Sequence, residues 1–244
     1  MENNRRPLGI ICAMDVEIRD LMENLSDEQV LAKAGYEFHV GRLSGVPVVL
    51  VQCGVGKVNA ARGTQMLIDL FDPEGIINSG VAGGTADGLS IGDIVVGRDF
   101  IQHDFDVTAL GYAKGYMCTG ADSSRPTVYT ADAALSKELT EAASGIADGR
   151  GVREGRIVSG DMFINTVGKK AELAEMFGAT CAEMEGAAIA QTCAYSGVPF
   201  GVLRVISDLA NGTSPENYAE FEKISAAFSA EVILRFVAIH GGQR

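Results

Sequence analysis

The chain has 244 residues, 47% of them hydrophobic, and a formal net charge of −12 from 32 acidic and 20 basic residues. That length and apolar content fit one α/β domain across residues 1–244, with a core from about 8 to 240, and no linker-like stretch divides it. The acidic balance argues against nucleic-acid binding, which needs clustered Lys and Arg, and against an anionic membrane surface.

Leu8 to Ala13 is wholly apolar and predicts a buried strand, followed by a helix over Asp15 to Leu25 with Glu17 in its first turn. Residues 36–52 predict a hairpin turning at Ser44-Gly45. Cys53-Gly54-Val55-Gly56-Lys57 predicts a glycine turn into a helix from about Val58 to Phe71. Ile76-Ile77 open a short buried strand, expected to end in a tight small-residue loop, Asn78 to Gly84. Asp93 to Ile101 is the next strand, and His103 to Thr130 reads as a long irregular loop. Helices are expected at Ala131 to Ile146, Lys169 to Phe177 and Glu185 to Tyr195, and strands at Arg156 to Val158 and Phe200 to Ile206. A terminal helix over Pro215 to Ala238 spaces Phe221, Ile224, Phe228, Val232 and Phe236 by three or four residues. Alternating strands and helices predict a three-layer α/β/α fold, and the hairpin makes its central sheet mixed.

No apolar stretch is expected to reach the ~20 residues of a membrane helix. The polar start, Met1 to Arg6, does not resemble a secretory signal. Cys12, Cys53, Cys118, Cys181 and Cys193 show no paired spacing, so reduced thiols and a cytoplasmic location are expected. His39, His103 and His240 are too dispersed for a zinc motif, and His103-Asp104-Phe105-Asp106 lacks further ligands, so no metal and no cofactor are expected.

Three polar clusters follow apolar runs: Ala13 to Glu17, Glu183-Met184-Glu185, and Ser207-Asp208. Carboxylates at the ends of buried strands are costly unless something uses them, and ligands of open α/β sheets bind at those ends. Each cluster also has an ordinary explanation. Asp208 after a strand can be an N-cap for the next turn, or an acid whose pKa is raised by burial, with Ser207 orienting it. Glu183 and Glu185 share a face if extended and point ~200° apart if helical. One can serve a pocket, where a carboxylate can accept both hydroxyls of a sugar diol, while the other makes a structural bond; both can equally be first-turn residues of a helix. Arg204 can pair with one of the acids, since an unpaired charge there is disfavoured. The Gly54-Val55-Gly56 loop fits neither a Rossmann fingerprint nor a P-loop, because Val58 stands where the magnesium-binding hydroxyl would follow Lys57. A tight turn explains it, as does close approach of backbone to a small ligand. The same two readings hold for Asn78 to Gly84, where Val81, Ala82 and Gly83 leave backbone N–H groups open to a substrate. Met14, Phe163, Met184 and Tyr218 beside these clusters are core residues or walls of a base-stacking, thioether-binding pocket.

In order along the chain, Gly9-Ile10-Ile11-Cys12-Ala13-Met14, Gly54-Val55-Gly56-Lys57-Val58, Gly80-Val81-Ala82-Gly83-Gly84, Gly92 to Val96, His103 to Ala109, Val158 to Ile164, Glu183-Met184-Glu185 and Arg204 to Asp208 resemble the bacterial 5'-methylthioadenosine/S-adenosylhomocysteine nucleosidases of the purine nucleoside phosphorylase superfamily. The resemblance covers nearly the whole chain. It implies a nucleoside phosphorylase-like fold and hydrolysis of the bond between adenine N9 and ribose C1', with an adenine thionucleoside and water as the only substrates. It implies that Asp208 protonates adenine N7, Glu17 activates the water, Glu185 binds ribose hydroxyls and Arg204 lies near Glu17 and the water. Met184 would lie beneath the ribose, Phe163 against adenine and the Ile164 backbone at its edge. Met14 and Val55 would line the sugar and alkylthio region, and Tyr218 the 5'-substituent. A homodimer is implied, in which Val107 and Leu110 reach the partner's pocket. Val81 departs from the serine many relatives carry, and Leu110 from a phenylalanine. A phosphate-dependent phosphorylase, an aminodeoxyfutalosine nucleosidase and a non-catalytic nucleoside sensor are the competing readings.

Overall fold

The computed structural model describes residues 5–209 and 215–242, with the side chains of 215–218 excepted. Among the described residues, ten strands form one mixed sheet. The first strand, β1 (Leu8–Cys12), is buried along its whole length. Its side chains alternate between two cores: Ile11 enters one, and Leu8, Ile10 and Cys12 the other. A strand covered on both faces has to read as a continuous apolar run, and this one does.

Helix α1 (Asp15–Glu23) follows directly. The next element, β2 (Ser26–Lys33), is one the sequence did not announce. Its residues, Ser-Asp-Glu-Gln-Val-Leu-Ala-Lys, carry no apolar alternation, because all eight are exposed at the sheet edge. Only its antiparallel ladder with β3 (Tyr36–Leu43) holds it, and its charges discourage further pairing. The hairpin partner β4 (Val46–Gln52) lies parallel to β1 on the inner side. Helix α2 (Lys57–Phe71) then crosses one face.

The stretch Asn78 to Gly84 is not a loop. It is the second half of β5 (Gly75–Gly84), a ten-residue strand at the centre of the sheet. β5 pairs with β10 (Phe200–Asp208) along one edge, and on the other with β1 over its first residues and with β9 (Cys181–Glu183) over its last, so that Gly83 faces both Asp208 and Ala182. β6 (Ile94–Gln102) and β8 (Val152–Ser159) complete a closed circuit β5–β10–β6–β8–β9–β5. The sheet is thus open toward β2 and closed on itself at the other end. A two-residue β7 (Tyr129–Thr130) ends the irregular segment after β6, which otherwise contains a single 3-10 turn, Thr108–Leu110.

Helices α1, α3 (Ala133–Ser144) and α6 (Pro215–Gly242) cover one face, and α2 and α5 (Gly186–Ser196) the other. A third, small cluster holds α4 (Val167–Phe177) against β6 and β8 through Ile101, Val158, Leu173 and Phe177. The expected layering is therefore observed. The expectation about apolar length is corrected at α6: Ala219–Gly242 is long and apolar enough, by composition, to cross a membrane. Its apolarity has a local cause. Phe228, Val232, Ile233, Phe236 and Val237 are buried in the core beneath the sheet, whereas Ile224 is exposed. Charged Glu220, Glu222, Lys223, Glu231 and Arg235 interrupt the run.

Candidate active site

The carboxyl ends of β1, β5, β9 and β10 converge on a cavity of about 130 Å³. It is lined by Ala13, Met14 and Glu17 from the β1–α1 corner, by Val81, Ala82 and Gly83 of β5, and by Ala182, Glu183, Met184 and Glu185 around the end of β9. Ser207 and Asp208 close one side, Val55 and Phe163 another. Among the described residues, four carboxylates face this space, and no Lys, Arg or His does. A larger open groove of about 780 Å³, between α1 and the β3 edge, gathers no comparable buried set.

Glu17 is buried and its carboxylate is fixed by backbone. Oε2 accepts from Ala13 N–H at 2.9 Å and Met14 N–H at 3.0 Å, and Oε1 from Val81 N–H at 3.1 Å. Two bonds reach back across the first turn of α1; the third crosses to β5. Burial raises the Glu17 pKa above its ordinary value, while Arg204 and the three N–H donors partly offset that rise.

The alternatives for Glu183 and Glu185 resolve into one role each. Glu183 takes the structural bonds. Its carboxylate accepts from Glu185 N–H at 3.1 Å and Gly186 N–H at 2.7 Å, capping α5, and it pairs with Ser159 Oγ and with Arg204. Glu185 keeps one external bond, from Gly56 N–H to Oε1 at 2.8 Å, and stands 3.9 Å from Arg204 through Oε2. Burial and the neighbouring Glu183 charge push the Glu185 carboxyl up to about 8, against the opposing pull of Arg204. A proton shared within a crowded, desolvated carboxylate group is the expected response.

Arg204 lies beside Glu17 and pairs with Glu183. It does not line the cavity. It is buried behind the wall, where Nη2 donates to Glu183 and to Asn78 Oδ1 at 2.5 Å. Burial favours loss of its proton, but Glu183, Glu185 and Glu17 together hold it more firmly than usual. Arg204 therefore orients the carboxylates from behind the cavity wall. Its partner Asn78 was not singled out in the sequence. Asn78 donates in turn to Ile11 O at 2.9 Å, joining β1 to β5 and β10.

Asp208 ends β10 at a register shift between Ile206 and Asp208, where β10 slips against β5. Such a bulge re-aims side chains, and here both Ser207 and Asp208 line the cavity. Ser207 Oγ lies 3.3 Å from Asp208 Oδ2 and donates to it. Opposite, a Cβ at Gly83 would sit 3.0 Å from Asp208 Oδ1, and one at Gly80 would collide with the Glu17 carboxylate and press on Arg204 at 3.0 Å. The small residues of β5 thus make room for Glu17 of α1 and Asp208 of β10. That is why a central strand can be poor in side chains.

Other expected residues divide. Met14, Val55, Val81, Ala82, Gly83, Phe163 and Met184 line the cavity, Phe163 while half exposed. The Ile164 side chain does not; it is buried in the α4 cluster. Val107 is partly buried and Leu110 is 70% exposed, and neither lines this chain's cavity. The side chain of Tyr218 lies outside the described residues. No cluster of three or more potential metal ligands occurs among the described residues.

Residues 7–238 match the family model of the phosphorylase superfamily. A 5'-methylthioadenosine/S-adenosylhomocysteine nucleosidase of Geobacillus thermodenitrificans is 40% identical over 232 residues, covering 95% of this chain and 96% of the relative. The nucleosidase of that name from Neisseria meningitidis, solved in complex with methylthio-immucillin-A, superposes with a TM-score of 0.89 at 36% identity, covering 96% of this chain and 99% of the other. Futalosine hydrolase of Helicobacter pylori is also similar, with a TM-score of 0.87 at 30% identity over 95% and 97% of the two chains. With near full-length identity of this order and carboxylates converging at the strand ends, the chain belongs to the phosphorylase superfamily and, within it, to the family of 5'-methylthioadenosine/S-adenosylhomocysteine nucleosidases.

Proposed function

We propose that the chain hydrolyses the N-glycosidic bond of 5'-methylthioadenosine and S-adenosylhomocysteine, releasing adenine and the 5'-substituted ribose. The observation that carries this is the charge of the cavity wall: among the described residues, four carboxylic acids and no cation. A cation-like sugar suits such a wall; a phosphate nucleophile does not, since phosphate needs basic groups or free N–H donors. Val81 N–H, which could have met an anion, is engaged by Glu17 at 3.1 Å, and Arg204 is engaged by Glu183 and Asn78.

In this reading Asp208 gives its proton to N7 as the C1'–N9 bond breaks, so adenine leaves neutral. Positive charge develops at C1' and O4', and Glu17 and Glu185 stabilise it electrostatically. Water held at Glu17 attacks C1' and yields its proton to that carboxylate. Glu185 accepts the ribose hydroxyls, with Met184 beneath the sugar and Phe163 against the base. The Ile164 backbone meets the adenine edge, and its buried side chain anchors that contact from behind. Met14, Val55 and Tyr218 face the sugar and the 5'-substituent. The test is adenine release with and without phosphate, followed by product analysis. Free thioribose in phosphate-free buffer is expected; strictly phosphate-dependent turnover giving a sugar 1-phosphate would reject hydrolysis. A substrate panel including aminodeoxyfutalosine separates the nucleosidase readings.

A homodimer is part of the proposal. Leu110 is 70% exposed and Tyr112 39% exposed on the irregular segment after β6, an apolar surface that is costly in water. A partner would cover it and bring Val107 and Leu110 toward its own 5' pocket. The five free cysteines, four of them buried, fit a cytoplasmic, reducing location.

A further inference from the structure

The loop that carries Phe163 runs between β8 and α4 with no strand ladder to hold it. Its first residues are fixed by a different device. Lys57 Nζ pairs with Asp104 Oδ1 at 2.5 Å, and Lys57 N–H donates to Asp161 Oδ1 at 2.8 Å. Asp161 N–H donates to Asp104 Oδ2 at 2.9 Å. Three residues from three segments therefore form a closed ring, each bonded to both others. Burial acts to raise the Asp104 carboxyl, but Lys57 and the Asp161 N–H outweigh it and hold the group below the usual carboxylate range. The buried ring of His103 packs beneath, against Gly160, where any side chain would collide with it.

The ring does not line the cavity, but the residues next to it bond to two of the cavity's walls. On one side Lys57 follows Gly56, whose N–H donates to Glu185 at 2.8 Å. On the other, Asp161 stands two residues before Phe163, and Gly160 N–H donates to Glu183 O at 3.1 Å. We infer that Asp104 is a positioning residue which, through Lys57 and Asp161, sets the Phe163 wall against the Glu185 side of the cavity. The inference rests on the proposed placement of adenine at Phe163 and ribose at Glu185. Asp104 touches no reacting atom. Its effect is to place an aromatic face at a set distance from the carboxylates, so that base and sugar are bound in one geometry. Charge-assisted hydrogen bonds are strong enough for this, and small misplacement of a binding wall is costly.

The test is Asp104→Asn, which removes the charge and keeps the side-chain size. The Kd for adenine, read by equilibrium dialysis, and the KM for methylthioadenosine are each expected to rise about tenfold, with kcat changed less than about threefold. In a Phe163→Ala background the same substitution is expected to change the adenine Kd by less than about twofold, because the wall it positions is gone. A wild-type adenine Kd in Asp104→Asn overturns the inference, as does an undiminished penalty in the Phe163→Ala background. So does a loss of kcat alone that tracks a reduced folded fraction. Lys57→Met is the second variant and should reproduce the Asp104→Asn binding defect without adding to it in the double variant. Failure of the functional reading is distinguishable: wild-type protein would then release no adenine and bind none, and the inference would fall with it.

Discussion

Glu183 and Glu185 are two residues apart, yet the same change, Glu to Gln, should have opposite effects on stability. The Glu185 carboxyl is raised from its ordinary 4.5 to about 8, chiefly by burial and then by Glu183. The folded protein therefore holds this proton more tightly than the unfolded chain. Stability from it is fully present below the unfolded value and is lost as pH climbs to about 8. At about 1.4 kcal/mol per pH unit, the full span corresponds to a loss on the order of 5 kcal/mol by pH 9. Glutamine stays neutral throughout and can still accept from Gly56 N–H; only the 3.9 Å contact with Arg204 is given up. Glu185→Gln should match wild type near pH 4.5 and become progressively more stable than wild type toward pH 9. The gain there should be some 10 °C in Tm, at about 2–4 °C per kcal/mol for a chain of this size. Glu183→Gln should behave otherwise. It strips the charge from the partner of a buried Arg204 that has few alternatives, a change worth about 3–5 kcal/mol of destabilisation. Calorimetric melts of the three proteins at pH 5, 7 and 9 measure both. A Tm difference between Glu185→Gln and wild type that stays flat with pH would refute the assignment of the raised proton to Glu185.

Asp208→Asn should lower kcat on methylthioadenosine about 10²–10⁴-fold with the fold intact, since an amide cannot protonate N7; a loss below about tenfold in stopped assays rejects that role. For the free enzyme, kcat/KM should rise with pH as Glu185 ionises toward about 8, and Glu185→Gln should remove that limb from the profile. Gly80→Ala should cost about 1–3 kcal/mol in urea unfolding and most of the activity, because its methyl group meets Glu17 and Arg204, both buried and pinned. Leu110→Asp should weaken dimerisation and turnover together, as read by sedimentation and adenine release; a dissociated variant of full activity would show that the segment serves neither.

Much of this architecture was legible in the chain, for reasons that can be named. β1, β10 and the start of β5 are buried on both faces, so their residues are almost wholly apolar, with Arg204 the one charge inside the β10 run, and they advertise themselves. The acids at Glu17, Glu185 and Asp208 stood out because each belongs to a short polar cluster that follows an apolar run. Whatever depends on contacts distant in sequence was not legible. β2 has no apolar signal because a single backbone ladder at a solvent edge holds it. Asn78 to Gly84 looked like a loop because nothing local explains its small residues. The cause lies 63 and 124 residues away, in the Glu17 and Arg204 side chains that pass over Gly80. Composition and order along the chain thus determined the elements, the α/β class and the acidic chemistry. The closure of β5 through β9 and β10, the division of labour between Glu183 and Glu185, and the withdrawal of Arg204 behind the wall were decided only in three dimensions. Each depends on which charges come within hydrogen-bond reach once water is excluded, and spacing along a sequence does not encode that distance.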